Sequence, residues 1–105
     1  MAQPSECRLK LTLALDPAHW RRHDRAFWIQ VLTNAVDTAA PHVLKVEGYD
    51  VQEALIYIRA RAAKAPKTMK KLLREDESFR RLRARLADLG ARSDFEIEGA
   101  DHGPG

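Results

Sequence analysis

Two histidines four residues apart, His19 and His23, stand among Arg21, Arg22 and Arg25 and between Asp16 and Asp24. On a helix that spacing puts both imidazoles on one side, where they could share a zinc ion. A third ligand would have to be Asp16 or Asp24. Position 20 is Trp and position 22 is Arg, so the H-E-x-x-H pattern is absent. The neighbouring arginines would repel a cation, and neither a metal nor another cofactor is expected. The same side chains suit an anion better. Arg21, Arg22, His23 and Arg25 near a helix start form a candidate dock for phosphate or carboxylate, because free backbone N–H groups point outward there. The plainer account is an exposed overhang in which Arg21–Asp24 and Asp24–Arg25 pair among themselves.

A second cluster is larger. From Arg59 to Arg92 there are twelve Lys or Arg and four Asp or Glu, whereas residues 93–105 carry four acids and no Lys or Arg. The formal net charge of +3 therefore hides a strongly uneven layout. Arg59, Arg61, Lys64, Lys67, Lys70, Lys71, Arg74, Arg81 and Arg85 are the candidate contacts for an acidic partner. Nucleic acid would use them as phosphate contacts. Base stacking wants aromatics among the cations, and Phe79 alone lies in that run, on an apolar stripe. An acidic protein surface is thus the favoured partner and nucleic acid the alternative. The plain account is a solvated helix face with pairs such as Glu77–Arg81.

Other chemistry is sparse. Cys7 is the single cysteine, which excludes an internal disulfide and a Cys-based zinc site. No Gly-rich phosphate loop, nucleophile elbow or spaced carboxylate pair is present. Convergent polar groups of the kind an active site needs are not evident. Ile56 and Tyr57, near Arg59 and Arg61, could seed a protein interface.

These residues need elements to position them. The chain has 105 residues, 45% apolar and 31% charged, which suits one globular domain. The opening MAQPSECRLK lacks the apolar core of a signal peptide, and no run approaches a membrane span. A cytoplasmic protein with no membrane partner is expected. Arg outnumbers Lys twelve to six, which suits a bacterial or phage source.

Leu9, Leu11, Leu13 and Leu15 alternate with polar or small residues, which predicts a strand. Asp16-Pro17 predicts a helix start, and one long helix is expected from Pro17 to Ala39, before Pro41. Residues 42–47 read as a second strand. Asp50 to Glu53 matches a capping box with Tyr49 as its staple, and Val51, Leu55, Ile58 and Ala62 fall at helical spacing. A second helix is therefore expected up to Pro66, followed by the basic segment 67–74. Asp76 caps a third helix with Phe79, Leu82, Leu86 and Leu89 on one face and Gly90 just past its end. Residues 94–98 alternate as a last strand, with Asp94, Glu96 and Glu98 facing away from the core.

The expected fold is α+β with an α/β-like start, ordered β-α-β-α-α-β. A three-stranded sheet would carry helices on one face, its first two strands parallel through a right-handed crossover. Residues 1–7 are read as a flexible start, 8–98 as the domain and 99–105 as a disordered acidic tail. A basic helical side and an acidic strand side follow. The functional expectation is a small non-enzymatic regulatory or adaptor protein. It would bind an acidic protein surface through its basic helices, with inhibition one such role. Nucleic-acid binding by the same helices, and an anion-binding module or small enzyme at the first helix, are the alternatives.

Overall fold

The computed structural model describes residues 6–41 and 43–98. Of the expected flexible start, 1–7, residues 1–5 fall outside those residues, as do the expected disordered tail, 99–105, and His42, whereas Cys7 belongs to the first strand. In chain order the elements are β1 (Cys7–Leu15), α1 (Pro17–Trp20), α2 (Arg25–Ala39), β2 (Leu44–Gln52), β3 (Leu55–Ala62), α3 (Pro66–Glu75), α4 (Glu77–Asp88) and β4 (Ala91–Glu98). The strands form one four-stranded sheet in the order β2-β3-β1-β4, with antiparallel neighbours throughout. This is the split β-α-β-β-α-β arrangement of ferredoxin-like folds.

The expected α+β class and the helices on one face hold, but the sheet has a fourth strand. Residues 44–62 form a hairpin, where a helix was expected beyond Gly48. Ile56, Ile58, Ala60 and Ala62 are fully buried and alternate with Leu55, Tyr57, Arg59 and Arg61. That two-residue period, with β-branched and aromatic side chains, outweighs the helical spacing that also fits. Asp50 to Glu53 is thus not a capping box. Asp50 lies in β2, and the hairpin turns through Glu53 and Ala54, with Glu53 at a positive φ of 55°. β1 and β2 run parallel, as expected of the first crossover, with β3 inserted between them and antiparallel to both.

The predicted long first helix is two helices. Asp16 caps α1 by accepting from the Ala18 N–H at 2.8 Å. Asp24 then caps α2 by accepting from the Phe27 N–H at 2.8 Å. A second side-chain cap eight residues after the first restarts the helix, so no long overhang projects. The joint is held by Trp28, whose buried indole N–H donates to the Trp20 carbonyl at 3.0 Å. Later elements follow the sequence reading more closely. Asp76 caps α4 through the Ser78 N–H at 3.0 Å. Gly90 ends it at φ 86°, where a Cβ would also lie 2.8 Å from the His19 ring.

The core lies between the sheet and the helices. Leu9, Leu11, Leu13 and Leu15 of β1 face Trp28, Leu32 and Val36 of α2, Met69 of α3, and Phe79, Leu82 and Leu86 of α4. Each large apolar side chain withdrawn from water contributes about 1.5–3 kcal/mol. No described helix is long and apolar enough to cross a membrane.

Candidate functional site

Strand alternation sends Arg8 and Lys10 of β1 to the face that no helix covers. Arg59 and Arg61 of β3 arrive on the same face, because Arg8 pairs with Arg61 and Lys10 with Arg59 across the strands. These four cations form a two-by-two block, and Lys45 of β2, the partner of Arg61, extends it by a fifth. Like charges directly opposite one another on a sheet are destabilising, so each row needs an explanation.

One row is partly neutralised. Glu47 of β2 lies 3.1 Å from the Arg61 guanidinium and 3.9 Å from that of Arg8. A register shift between Val46 and Gly48 allows this, because Glu47 occupies an irregular position on the open side of β2. In the other row Glu96 of β4 is the cross-strand neighbour of Lys10, but no ion pair forms. No carboxylate among the described residues is ion-paired with Lys10 or Arg59. Arg59 extends across Gly48, where a Cβ would stand 3.1 Å from its Nη2. The Lys10 ammonium sits 5.7 Å from the centroid of the Tyr57 ring. These groups, with Tyr49, Asp50, Gln52 and Glu98, line an open groove of about 610 Å³. A smaller depression of about 280 Å³ at Arg8 and Glu47 adjoins it through the shared walls Arg59 and Glu98.

The sequence-level candidates are dispersed. Arg59 and Arg61 lie on the sheet, not on a helix. Lys64 is exposed in the turn before α3; Lys67, Lys70, Lys71 and Arg74 are exposed on α3; Arg81 and Arg85 are exposed on α4. Arg81 pairs with Glu77 at 3.0 Å, as the spacing predicts. Arg83, in the same run, is structural: it donates to the Leu73 carbonyl at 2.7 Å and lies 5.9 Å from the Phe95 ring centroid. The basic block is therefore divided between both sides of the molecule. The acids Asp94, Glu96 and Glu98 do face the open side, but beside Thr12, Lys10 and Arg8. The open side is therefore mixed in charge, not simply acidic.

Arg21, Arg22, His23 and Arg25 are all exposed around the α1–α2 joint. The anion nearest the α2 N-terminus is the protein's own Asp24 carboxylate. His23 stacks on Phe27 at 3.8 Å, whereas His19 packs against Gly90 and its Nδ1 is buried without a hydrogen-bond partner. The two rings thus serve different neighbours. Among the described residues, no three His, Cys, Asp or Glu side chains gather as metal ligands. Burial pushes the Cys7 thiol pKa up, which keeps it protonated and weakens it as a nucleophile. Ile56 is in the core, so of the proposed interface pair only Tyr57 reaches the open face.

The groove residues Lys10, Tyr49, Asp50, Gln52 and Glu98 were not singled out from sequence as a site. Their signal is the pair of alternations Arg8/Lys10 and Arg59/Arg61, which converge only once residues 55–62 are recognised as a strand.

No protein-family model matches this chain, and no curated protein does. Two solved structures share its overall shape. One is a conserved protein of unknown function from Bacteroides thetaiotaomicron, described as a possible oxidoreductase. It has a TM-score of 0.54 and 12% identity over 89% of this chain and 95% of that one. The other, from Caulobacter crescentus, is described as a candidate antibiotic biosynthesis monooxygenase. It has a TM-score of 0.48 and 14% identity over 89% of this chain and 87% of that one. The expectation of a non-enzymatic adaptor acting through basic helices is overturned. The scaffold is one shared with the Bacteroides protein described as a possible oxidoreductase, and two of the expected helical contacts, Arg59 and Arg61, are sheet residues. The likeness to the Bacteroides protein is one of fold, an antiparallel α+β sandwich.

Proposed function

We propose that this chain is a small enzyme of the oxidoreductase type that binds an organic anion on the open face of its sheet. The observation that carries this reading is the Lys10–Arg59 pair: two adjacent cations on the wall of a groove, neither in an ion pair among the described residues although Glu96 is the cross-strand neighbour of Lys10. A bound anion would relieve their mutual repulsion, which is a differential interaction in favour of the occupied state. Fixed cations also stabilise negative charge that develops on a substrate, as in an enolate or phenolate. That electron-rich form is the better electron donor, which connects the site to redox chemistry. The description of the Bacteroides protein as a possible oxidoreductase supports an enzymatic role.

Benzoate is a suitable first probe, followed by amide chemical shifts at low salt. Residues of β1 and β3 around Lys10, Tyr57 and Arg59 should shift in a saturable manner. Affinity should fall about tenfold or more in a Lys10→Ala/Arg59→Ala variant, about what loss of a charge-assisted contact costs. Unchanged benzoate affinity in a folded double variant would sink the reading.

A further inference from the structure

The walls of the groove carry both signs of charge in equal number. Its charged side chains are Lys10 and Arg59 on one hand, and Asp50 and Glu98 on the other. None of the four is in an ion pair among the described residues. A further carboxylate, Glu96, stands across from Lys10 on β4. A ligand that is only an anion would meet the two cations and be repelled by the carboxylates around them. A ligand with one charge of each sign, held apart, would satisfy both sets.

The geometry selects the carboxylate that would take the positive end. The Arg59 guanidinium lies across Gly48, where a Cβ would stand 3.1 Å from Nη2. Asp50 is two residues further along the same strand, a step of about 7 Å. Its Oδ1 accepts from the Val51 N–H at 3.1 Å, which holds the carboxylate to the strand and leaves Oδ2 without a hydrogen-bond partner among the described residues. With a charge-assisted contact of about 2.8 Å at each end, the carboxylate and ammonium of an α-amino acid together bridge about 8 Å. Glu98 is on the other side of the groove, across from Arg8 on β4. Tyr57 is the cross-strand partner of Asp50, so an aromatic ring stands beside the bridge.

We infer that the groove takes zwitterions of the α-amino acid class, with the carboxylate at Lys10 and Arg59, the ammonium at Asp50 and the side chain against Tyr57. The inference rests on the anion-binding reading and adds to it a second, oppositely charged contact and the distance between the two. A carboxylate alone would leave the acidic half of the groove unmatched.

The test is a titration of the intact protein with phenylalanine and its partial analogues, read by amide chemical shifts at low salt and neutral pH. Phenylalanine should bind about fivefold or more tightly than 3-phenylpropanoate, which lacks the ammonium, and than 2-phenylethylamine, which lacks the carboxylate. Its isomer 4-(2-aminoethyl)benzoate holds the same two charges farther apart and should lose that advantage. Asp50→Asn keeps an oxygen to accept from the Val51 N–H, and its unchanged shifts outside the groove serve as the folding control. In that variant phenylalanine should fall to the level of 3-phenylpropanoate, which itself should bind slightly better for want of a repelling carboxylate. Benzoate binding combined with phenylalanine no tighter than 3-phenylpropanoate, with an isomer as tight as phenylalanine, or with an advantage that survives Asp50→Asn, would overturn this inference and leave the anion site standing. Absence of benzoate binding, by contrast, would remove both.

Discussion

The two faces of the sheet solve opposite problems with residues that are neighbours in the chain. Leu11 is fully buried between Ile58 and Phe95 in the cross-strand register, while Lys10, one position earlier, lies on the groove beside Arg59. On the covered face every cross-strand neighbour is apolar or small, and local preference agrees with packing. On the open face Arg8, Lys10, Arg59 and Arg61 sit side by side with Lys45 next to Arg61, and the acids Glu96 and Glu98 line their β4 edge. Among the described residues only Glu47 makes ion pairs with the block. Stability is concentrated on the first face, and the second retains an arrangement that stability alone would not favour. Departures from local consistency of this kind tend to mark function.

Substitutions on either face make that contrast measurable. The largest effect should come from Leu11→Ala, which leaves a cavity at the centre of the covered face. A loss of about 2–5 kcal/mol is expected by chemical denaturation. A loss below 1 kcal/mol would mean that the covered face is not the principal source of stability. Arg83→Ala comes next. It frees the Leu73 carbonyl and removes the cation from beside Phe95, so about 1–2 kcal/mol should be lost. An effect near zero would return Arg83 to the pool of surface cations. The smallest effect should come from Arg59→Gln, with the opposite sign. Relief of the Lys10–Arg59 repulsion should raise stability by a few tenths of a kcal/mol at low salt, and the gain should shrink as salt is added. A clear loss of stability at every salt concentration would show that Arg59 is there for packing, and the contrast between the faces would weaken.

The sequence made some of this legible and hid the rest for identifiable reasons. The four alternating leucines of β1, the Asp16 and Asp76 caps and the Gly90 terminus depend on local chemistry, and each is found where the sequence places it. Asp24 also depends on local chemistry, but it lay inside a pattern that was already helical, so its capping role was masked. Residues 50–62 satisfied two periods at once, and only the tertiary context decided between them. That one ambiguity propagated into the site. Arg59 and Arg61 joined the helical cations in the sequence reading, and their pairing with Lys10 and Arg8 was invisible because it depends on a strand register about 50 residues apart in the chain. The histidines and arginines at 19–25 stood out because they are adjacent in sequence. The groove residues did not, because they are adjacent only across strands.

The hydrogen bond that joins the two tryptophans has a practical side. Trp28 and Trp20 both belong to the helical layer, and Tyr57 lies on the opposite side of the sheet. The chain therefore carries separate optical reporters for separate events. Indole emission follows the integrity of the α1–α2 joint, so in the native state it is little changed by what occupies the groove, while a melting curve read at the same wavelengths moves to higher temperature when a ligand binds. Phenol absorbance follows the groove. A ligand that changes the second signal and not the first has bound without disturbing the fold.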